Sequence, residues 1–144
     1  MNDLHNNIRT KTVIAPVAIG ANATKTGKII DRQGYGGIEF LAAYGAVTTT
    51  GTIVTLVVKD GDVTGTLTSV ADANLLGTET LASLPVQATS RTSEVGKNVS
   101  KRIGYRGMKR YVTVDAISTG TTSVGCVSIS ALLHSPSNGP TANP

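Results

Sequence analysis

The spacing of apolar residues is the feature that most constrains the fold of this chain. It follows strand periodicity along most of the sequence and nowhere has the period of a long amphipathic helix. In the segment 38–46, IEFLAAYGA, every second residue from Ile38 to Tyr44 is apolar, which places these side chains on one face of a strand. Threonine, valine and isoleucine favour strands through their branched Cβ, and 16 glycines supply turns. The sequence therefore predicts an all-β domain.

Eight runs of this kind are strand candidates, separated by turns rich in Gly, Asn and Asp. They cover residues 11–19, 28–31, 38–46, 52–60, 64–70, 99–105, 110–118 and 125–134. The run 52–60, TIVTLVVKD, is apolar on both faces, which predicts a central, covered strand. Pro16 lacks an amide hydrogen for a ladder, so the first strand is predicted to lie at a sheet edge or to carry a bulge. We predict a jelly-roll-like β-sandwich of about eight short strands with extended termini.

The remaining segments set the predicted domain organisation. Residues 1–10 are polar and aperiodic and are predicted to form a flexible N-terminal arm. Residues 11–134 form a single β-sandwich domain, and residues 135–144, rich in Pro, Gly and Asn, form a flexible C-terminal tail. Within the domain, one helical turn is predicted after Asp72, and residues 78–97 are predicted to be mainly a long loop.

The predicted core draws on apolar residues of the central strands. Its members are Ile53, Leu56, Val58, Val112, Val114, Val127 and Ile129. Cys126 is the one cysteine, so no intrachain disulfide can form, and we expect it to act as a small buried hydrophobe in the last strand. The apolar residues of the first strand must also be shielded from water, and a second copy of the chain could do this. We therefore predict self-association as a dimer or a trimer.

Signals for enzymatic chemistry, secretion and membrane insertion are poor. His5 and His134 lie outside the predicted core, and Asp60 and Asp62 are explained by a hairpin turn. The N-terminus lacks the apolar core of a signal peptide, and no apolar run is long enough for a membrane helix. We predict a soluble protein made in a cytoplasm. We expect no enzymatic activity, no catalytic or metal-binding residues, no cofactor and no membrane partner.

Residues 101–112, KRIGYRGMKRYV, form the most distinctive stretch of the chain. Its cations are Lys101, Arg102, Arg106, Lys109 and Arg110. One interpretation is a nucleic-acid interface, in which the cations follow phosphates and Tyr105 and Tyr111 stack on bases. The others are a hairpin with a solvated basic face, and a docking surface for an acidic protein partner. A net charge of +4 is small for a protein dedicated to nucleic acid, so this partner is not expected.

The same region resembles a known family. The stretch 103–114, IGYRGMKRYVTV, with a following TG turn and a closing apolar strand, is similar to small virion proteins of tailed bacteriophages. Upstream, residues 34–77 resemble the rest of that pattern, with an apolar strand, a DGD hairpin and the segment ADANLLG. The similar sequence covers about 100 residues of the chain.

The resemblance implies a capsid cement (decoration) protein, similar to the jelly-roll cement proteins of short-tailed phages. Such a protein is non-enzymatic, lies on the outer surface of the virion capsid and binds as a homo-oligomer to a shell of HK97-type major capsid protein. On this hypothesis the five cations, Lys101, Arg102, Arg106, Lys109 and Arg110, dock on the partner. A tail or neck virion protein and a small basic nucleic-acid-binding module remain the alternatives.

Overall fold

Ten strands in two antiparallel sheets make up most of the part of the chain that the structure describes. The computed structural model describes residues 3–20, 22–47, 50–87, 96–120 and 125–139. The strands are β1 (Ile8–Ile19), β2 (Thr24–Lys25), β3 (Ile30–Asp31), β4 (Tyr35–Tyr44), β5 (Ile53–Gly61), β6 (Thr68–Ser69), β7 (Leu75–Leu76), β8 (Val99–Tyr105), β9 (Tyr111–Thr119) and β10 (Gly125–Pro136). One α-helix, α1 (Glu79–Ala82), and two 3₁₀ turns, His5–Asn7 and Asp72–Asn74, complete the described secondary structure.

The first sheet has the strand order β1-β10-β4-β8-β7, and the second has the order β2-β9-β5-β6, with β3 also paired to β9. The predicted all-β sandwich is therefore confirmed. The described chain has ten strands and not the predicted eight, because β2 and β7 were not predicted. Four of the ten strands, β2, β3, β6 and β7, are two-residue segments. Of these short strands, β2 and β3 pair with β9 at separate points, on either side of residues 26–29.

Strand β1 lies at the edge of the first sheet, as Pro16 predicts. Its pairing with β10 shifts register between Thr12 and Ile14 and again between Ile14 and Val17, so the proline falls within an irregular part of the ladder. The strand begins at Ile8, inside the predicted N-terminal arm, because Ile8 already pairs with His134.

The C-terminal boundary also differs from the prediction. Strand β10 continues to Pro136, which pairs with Tyr35 at the start of β4. The ladder therefore extends two residues beyond the predicted domain end at His134, because β4 begins at Tyr35 and not at Ile38 as predicted.

The core lies between the sheets and contains six of the seven predicted residues. Ile53 is the exception, because it is half-buried while its neighbour Val54 is completely buried. Alternation from Val54 through Leu56 to Val58 fills the core face of β5. Cys126, which was predicted to be buried, is exposed. It is the second residue of β10, where alternate side chains face the core, and its side chain points to the opposite face of the strand.

The other face of β5 is only partly covered, so the prediction that both faces are covered was wrong. Thr55 is exposed there, and Ile53 and Val57 are half-buried. Helix α1, which lies within the predicted loop 78–97, packs beside this strand. Its N-cap Thr78 accepts a hydrogen bond from the Leu81 amide at 3.1 Å. The sequence thus carried a capping signal that hydrophobic periodicity missed.

The segment 64–78 also differs from its prediction. Only Thr68–Ser69 pairs with β5 in place of the predicted strand 64–70. The predicted helical turn is a 3₁₀ turn, Asp72–Asn74, without a side-chain cap. Leu75–Leu76 then pairs with β8 as a short edge strand.

Residues 26–29 run along the edge of β9, between the points where β2 and β3 pair with it. Asp115 is 4% exposed and is held by the Lys59 ammonium at 2.7 Å and the Gly27 amide at 3.1 Å. The hydroxyl of Thr113 donates to the Lys28 carbonyl at 3.1 Å. These bonds satisfy the buried polar groups of β9 and attach the residues 26–29 to the second sheet.

Candidate partner-docking loop

The five cations that the sequence groups together fall in three separate places. Lys101 lies on the inward side of β8, and its ammonium donates to the Ser83 carbonyl at 2.6 Å, just after helix α1. It therefore holds the helix against the first sheet. The predicted role of Lys101 in docking is not favoured by this position, because its charged group is used within the fold.

Arg102 projects from the opposite side of β8, on the outer face of the first sheet. Its side chain is 79% exposed, and its Nε lies 3.9 Å from Oε1 of Glu39 on β4. This distance is too long for a hydrogen bond, so the guanidinium retains its donors for another group. Burial beside the sheet raises the pKa of Glu39, and the Arg102 charge opposes that shift.

The other three cations lie in the connection from β8 to β9, residues 106–110, which we call the basic loop. The Lys109 ammonium pairs with Asp62, which follows β5. Arg110 makes two hydrogen bonds to Asp31, from Nε at 3.0 Å and from Nη2 at 2.6 Å. The Arg110 bonds lower the pKa of Asp31, and the Asp62 contact raises that of Lys109.

Tyr105 fixes the start of the basic loop. Its hydroxyl donates to Asp60 at 2.7 Å and accepts from the Lys109 amide at 3.1 Å. Burial, together with the Asp60 carboxylate, raises the pKa of Tyr105 to about 12. A Cβ on Gly107 would collide with the Tyr105 ring and hydroxyl, so glycine allows the loop to close over this side chain. The Arg106 amide adds a bond to the Asn74 carbonyl at 2.9 Å.

Arg32 joins this group, although the sequence analysis did not select it. Its guanidinium carbon lies 5.5 Å from the centre of the Tyr105 ring, which is a cation–π distance. Arg32 and Arg110 line a cleft of about 260 Å³, with Gln33, Gly34, Tyr35 and Met108. Met108 is 88% exposed, so the loop presents an apolar tip between cations.

The charges around the basic loop nearly cancel. The cations are Arg32, Arg106, Lys109 and Arg110, and the carboxylates beside them are Asp31, Asp60 and Asp62. Four positive and three negative charges leave a local balance of one positive charge. No described acidic side chain pairs with Arg106, which is exposed. The loop is therefore suited to a specific acidic contact and is poorly suited to following a run of phosphates.

Sequence reasoning found the cations but missed their partners. Asp60 and Asp62 were assigned only to a turn, yet Asp60 holds Tyr105 from the opposite sheet and Asp62 holds Lys109 in the basic loop. Asp31 lies 79 residues before Arg110, so no local motif could signal that pair. The Gly-rich stretch 32–37 after Asp31 was the one local signal that the chain bends next to this carboxylate.

The residues that the structure describes contain no group of three or more His, Cys, Asp and Glu side chains placed to hold a metal ion. Among these residues, no helix combines the length and apolar character needed to cross a membrane. Comparison with protein-family models and with curated proteins gives no match for this chain.

Proposed function

We propose that this chain is a structural virion protein that binds the outside of an assembled phage capsid as a homo-oligomer and stabilises it. The proposal rests on the resemblance of residues 103–114 to small tailed-phage virion proteins and on the form that this stretch takes. In this role the protein is non-enzymatic and uses the basic loop to contact the HK97-type major capsid protein.

The observation that carries the proposal is the preorganisation of the basic loop. Tyr105, Lys109 and Arg110 anchor it through side-chain bonds to carboxylates of other elements. Between these anchors, Arg106 and Met108 remain exposed. A loop that is fixed before binding loses little conformational entropy when it docks, so a small contact yields more net affinity.

Docking on an assembled shell also explains why modest contacts suffice. A protein that binds only the intact particle stabilises it by mass action, in proportion to occupancy. Exposed ion pairs are individually worth at most about 1 kcal/mol. Repetition over a lattice by an oligomer multiplies such contacts through effective concentration. Arg106 supplies the charge and Met108 the apolar contact in each copy.

The test uses undecorated shells of the major capsid protein from the same phage. We expect the Arg106→Glu, Met108→Ser double variant to lose binding in a pelleting assay, with at least a tenfold drop in affinity. Both side chains are exposed, so the circular dichroism spectrum should not change. Arg110→Glu is avoided because it would place two carboxylates together at Asp31. Wild-type occupancy by a folded double variant would refute docking through this loop.

Lys11→Glu is the matched control, because Lys11 is an exposed cation on β1 outside the loop. It makes the same charge reversal and should retain binding. A second control titrates duplex DNA and single-stranded DNA at low salt. Tight, steeply salt-dependent DNA binding by the wild type, lost in the double variant, would favour the nucleic-acid interpretation instead.

A further inference from the structure

We infer that the outer face of the first sheet is the surface through which two copies of this chain associate. This inference deepens the homo-oligomeric part of the proposed function. The sequence analysis placed self-association on the apolar residues of β1. The structure buries Val13, Ile14 and Ile19 inside the sandwich, so they need no second copy to cover them.

Strand register aligns the outward side chains of the first sheet in rows across the strands. One row runs from Thr10 on β1 through Leu132, Glu39 and Gly104 to Leu76 on β7. Leu76 is 52% exposed. The row thus contains two leucines among small or polar residues and carries a single carboxylate.

The next row contains Thr12, Ser130, Leu41 and Arg102 on neighbouring strands. Leu41 is 41% exposed although it lies on the central strand β4. A leucine at the centre of a sheet face is the kind of apolar group that an interface core uses. The hydroxyl neighbours are short, so a second sheet can approach to about 10 Å.

The edges of the sheet are poor places for association. Strand β1 carries Pro16 and register shifts, and β7 on the other side has only two residues. Both features interrupt the row of backbone groups that an added strand would need. Association of this sheet is therefore expected through its face and not through its edges.

Charge identifies a second copy as the occupant. Glu39 and Arg102 lie diagonally across β4 and β8, and their closest atoms are 3.9 Å apart. A face with one acid and one base has no net charge to attract an acidic partner. It does match itself, because a two-fold axis beside Leu41 brings Glu39 to the partner's Arg102 and Arg102 to the partner's Glu39.

The size of the face is compatible with a weak, specific dimer. The four long strands, spaced about 4.8 Å apart, over four rows about 6.8 Å apart, give a face of roughly 500 Å² per copy. Two such faces bury about 1,000 Å², close to the smallest area expected of a specific interface. Leu41 lies near the axis and packs against the partner's Leu41. The other small side chains supply a flat, close surface around this contact.

Purified protein in sedimentation velocity tests the inference without any capsid. We expect the wild type to form a dimer of the 14.8 kDa chain in the micromolar range. Leu41→Lys should weaken dimerisation at least tenfold, because it buries a charge at the axis. Leu81→Lys is the control, since Leu81 is 71% exposed on helix α1 and lies off this face. It should remain dimeric.

A charge-swap experiment tests the pairing itself. The Arg102→Glu variant carries two acids on the face and the Glu39→Arg variant carries two bases, so each should be monomeric alone. An equimolar mixture should restore a dimer, because each face then meets its complement. Circular dichroism checks that both variants are folded. A monomeric or trimeric wild type, unchanged dimers for Leu41→Lys, or a folded mixture that stays monomeric would each overturn the inference.

The two proposals fail independently. If shells bind the wild type while the solution experiments show no dimer, the face inference is wrong and the docking proposal stands. If the dimer forms and the shells stay undecorated, the docking proposal is wrong and the face inference stands.

Discussion

The hydroxyl of Tyr105 lies 2.7 Å from Oδ2 of Asp60 and joins the two sheets where the basic loop begins. Tyr105 ends β8 in the first sheet, and Asp60 belongs to β5 in the second. The same hydroxyl accepts the Lys109 amide, so one phenol fixes the sheet-to-sheet contact and the loop together.

Removing this hydroxyl should loosen the loop at a modest cost in stability. Tyr105→Phe deletes both hydrogen bonds, and we expect the free energy of unfolding to fall by about 1–2 kcal/mol. The Lys109 amide should exchange with solvent faster. Urea unfolding and hydrogen exchange measure the two effects. Tyr111→Phe is the control, since its hydroxyl makes no hydrogen bond within the described chain. Equal losses in both variants would contradict the assigned role.

Stability should decrease at high pH because of buried tyrosines. Burial and Asp60 raise the pKa of Tyr105 from 10.0 to about 12, and burial also raises that of Tyr44. Well below the ordinary tyrosine pKa of 10.0, both tyrosines are neutral in the folded and unfolded chains. As the pH rises above about 10, the unfolded chain loses protons first, so the free energy of unfolding falls towards pH 12.

The measurement is urea unfolding at several values between about pH 9 and about pH 11.5. In Tyr105→Phe the free energy of unfolding should fall less steeply with pH, and the fall that remains is the contribution of Tyr44. A slope that is the same in the wild type and in Tyr105→Phe would show that Tyr105 does not contribute.

Side chains alternate between the core and the outer face of β5, so alanine substitutions at two adjacent residues should lower the free energy of unfolding by different amounts. Val54 is completely buried, whereas Ile53 is half-buried beside helix α1. Val54→Ala should lower the free energy of unfolding by roughly 2 kcal/mol, through lost burial and the remaining cavity. Ile53→Ala removes more atoms but should cost about 1 kcal/mol or less. Denaturant melts of the two variants check the order, and a reversed order would require the opposite face of β5 to be the core.

Gly27 should tolerate no side chain, because residues 26–29 lie very close to β9. A Cβ there would collide with the Val114 carbonyl and lie 2.6 Å from a methyl group of Val13. Gly27→Ala should destabilise the protein by about 1–3 kcal/mol. Gly65→Ala is the control, since nothing lies within 4 Å of its Cβ and its φ is not positive. Its melting temperature should stay close to that of the wild type, and a similar result for Gly27→Ala would contradict the close packing.

The sequence by itself determined the class of fold and much of its arrangement. Strand periodicity gives the six long strands, since β-branched and alternating residues need one buried face. Pro16 gives the edge position of β1, because the missing amide hydrogen is a property of the residue itself. Six of the seven predicted core residues follow from the same alternation. Ile53 fails because both faces of the run 52–60 carry apolar residues, so the pattern did not reveal which face is the core.

Only the tertiary structure decided what the basic segment presents to a partner. Strand parity turns Lys101 inward and Arg102 outward, although the two are adjacent in the chain. Asp31 and Asp62 neutralise Arg110 and Lys109 from distant positions, 79 and 47 residues away. These pairings depend on the register of the second sheet, because β3 and β5 both pair with the start of β9, which directly follows Lys109 and Arg110. The charge that remains exposed, chiefly on Arg106 and Arg102, is therefore set by the fold and not by the local sequence.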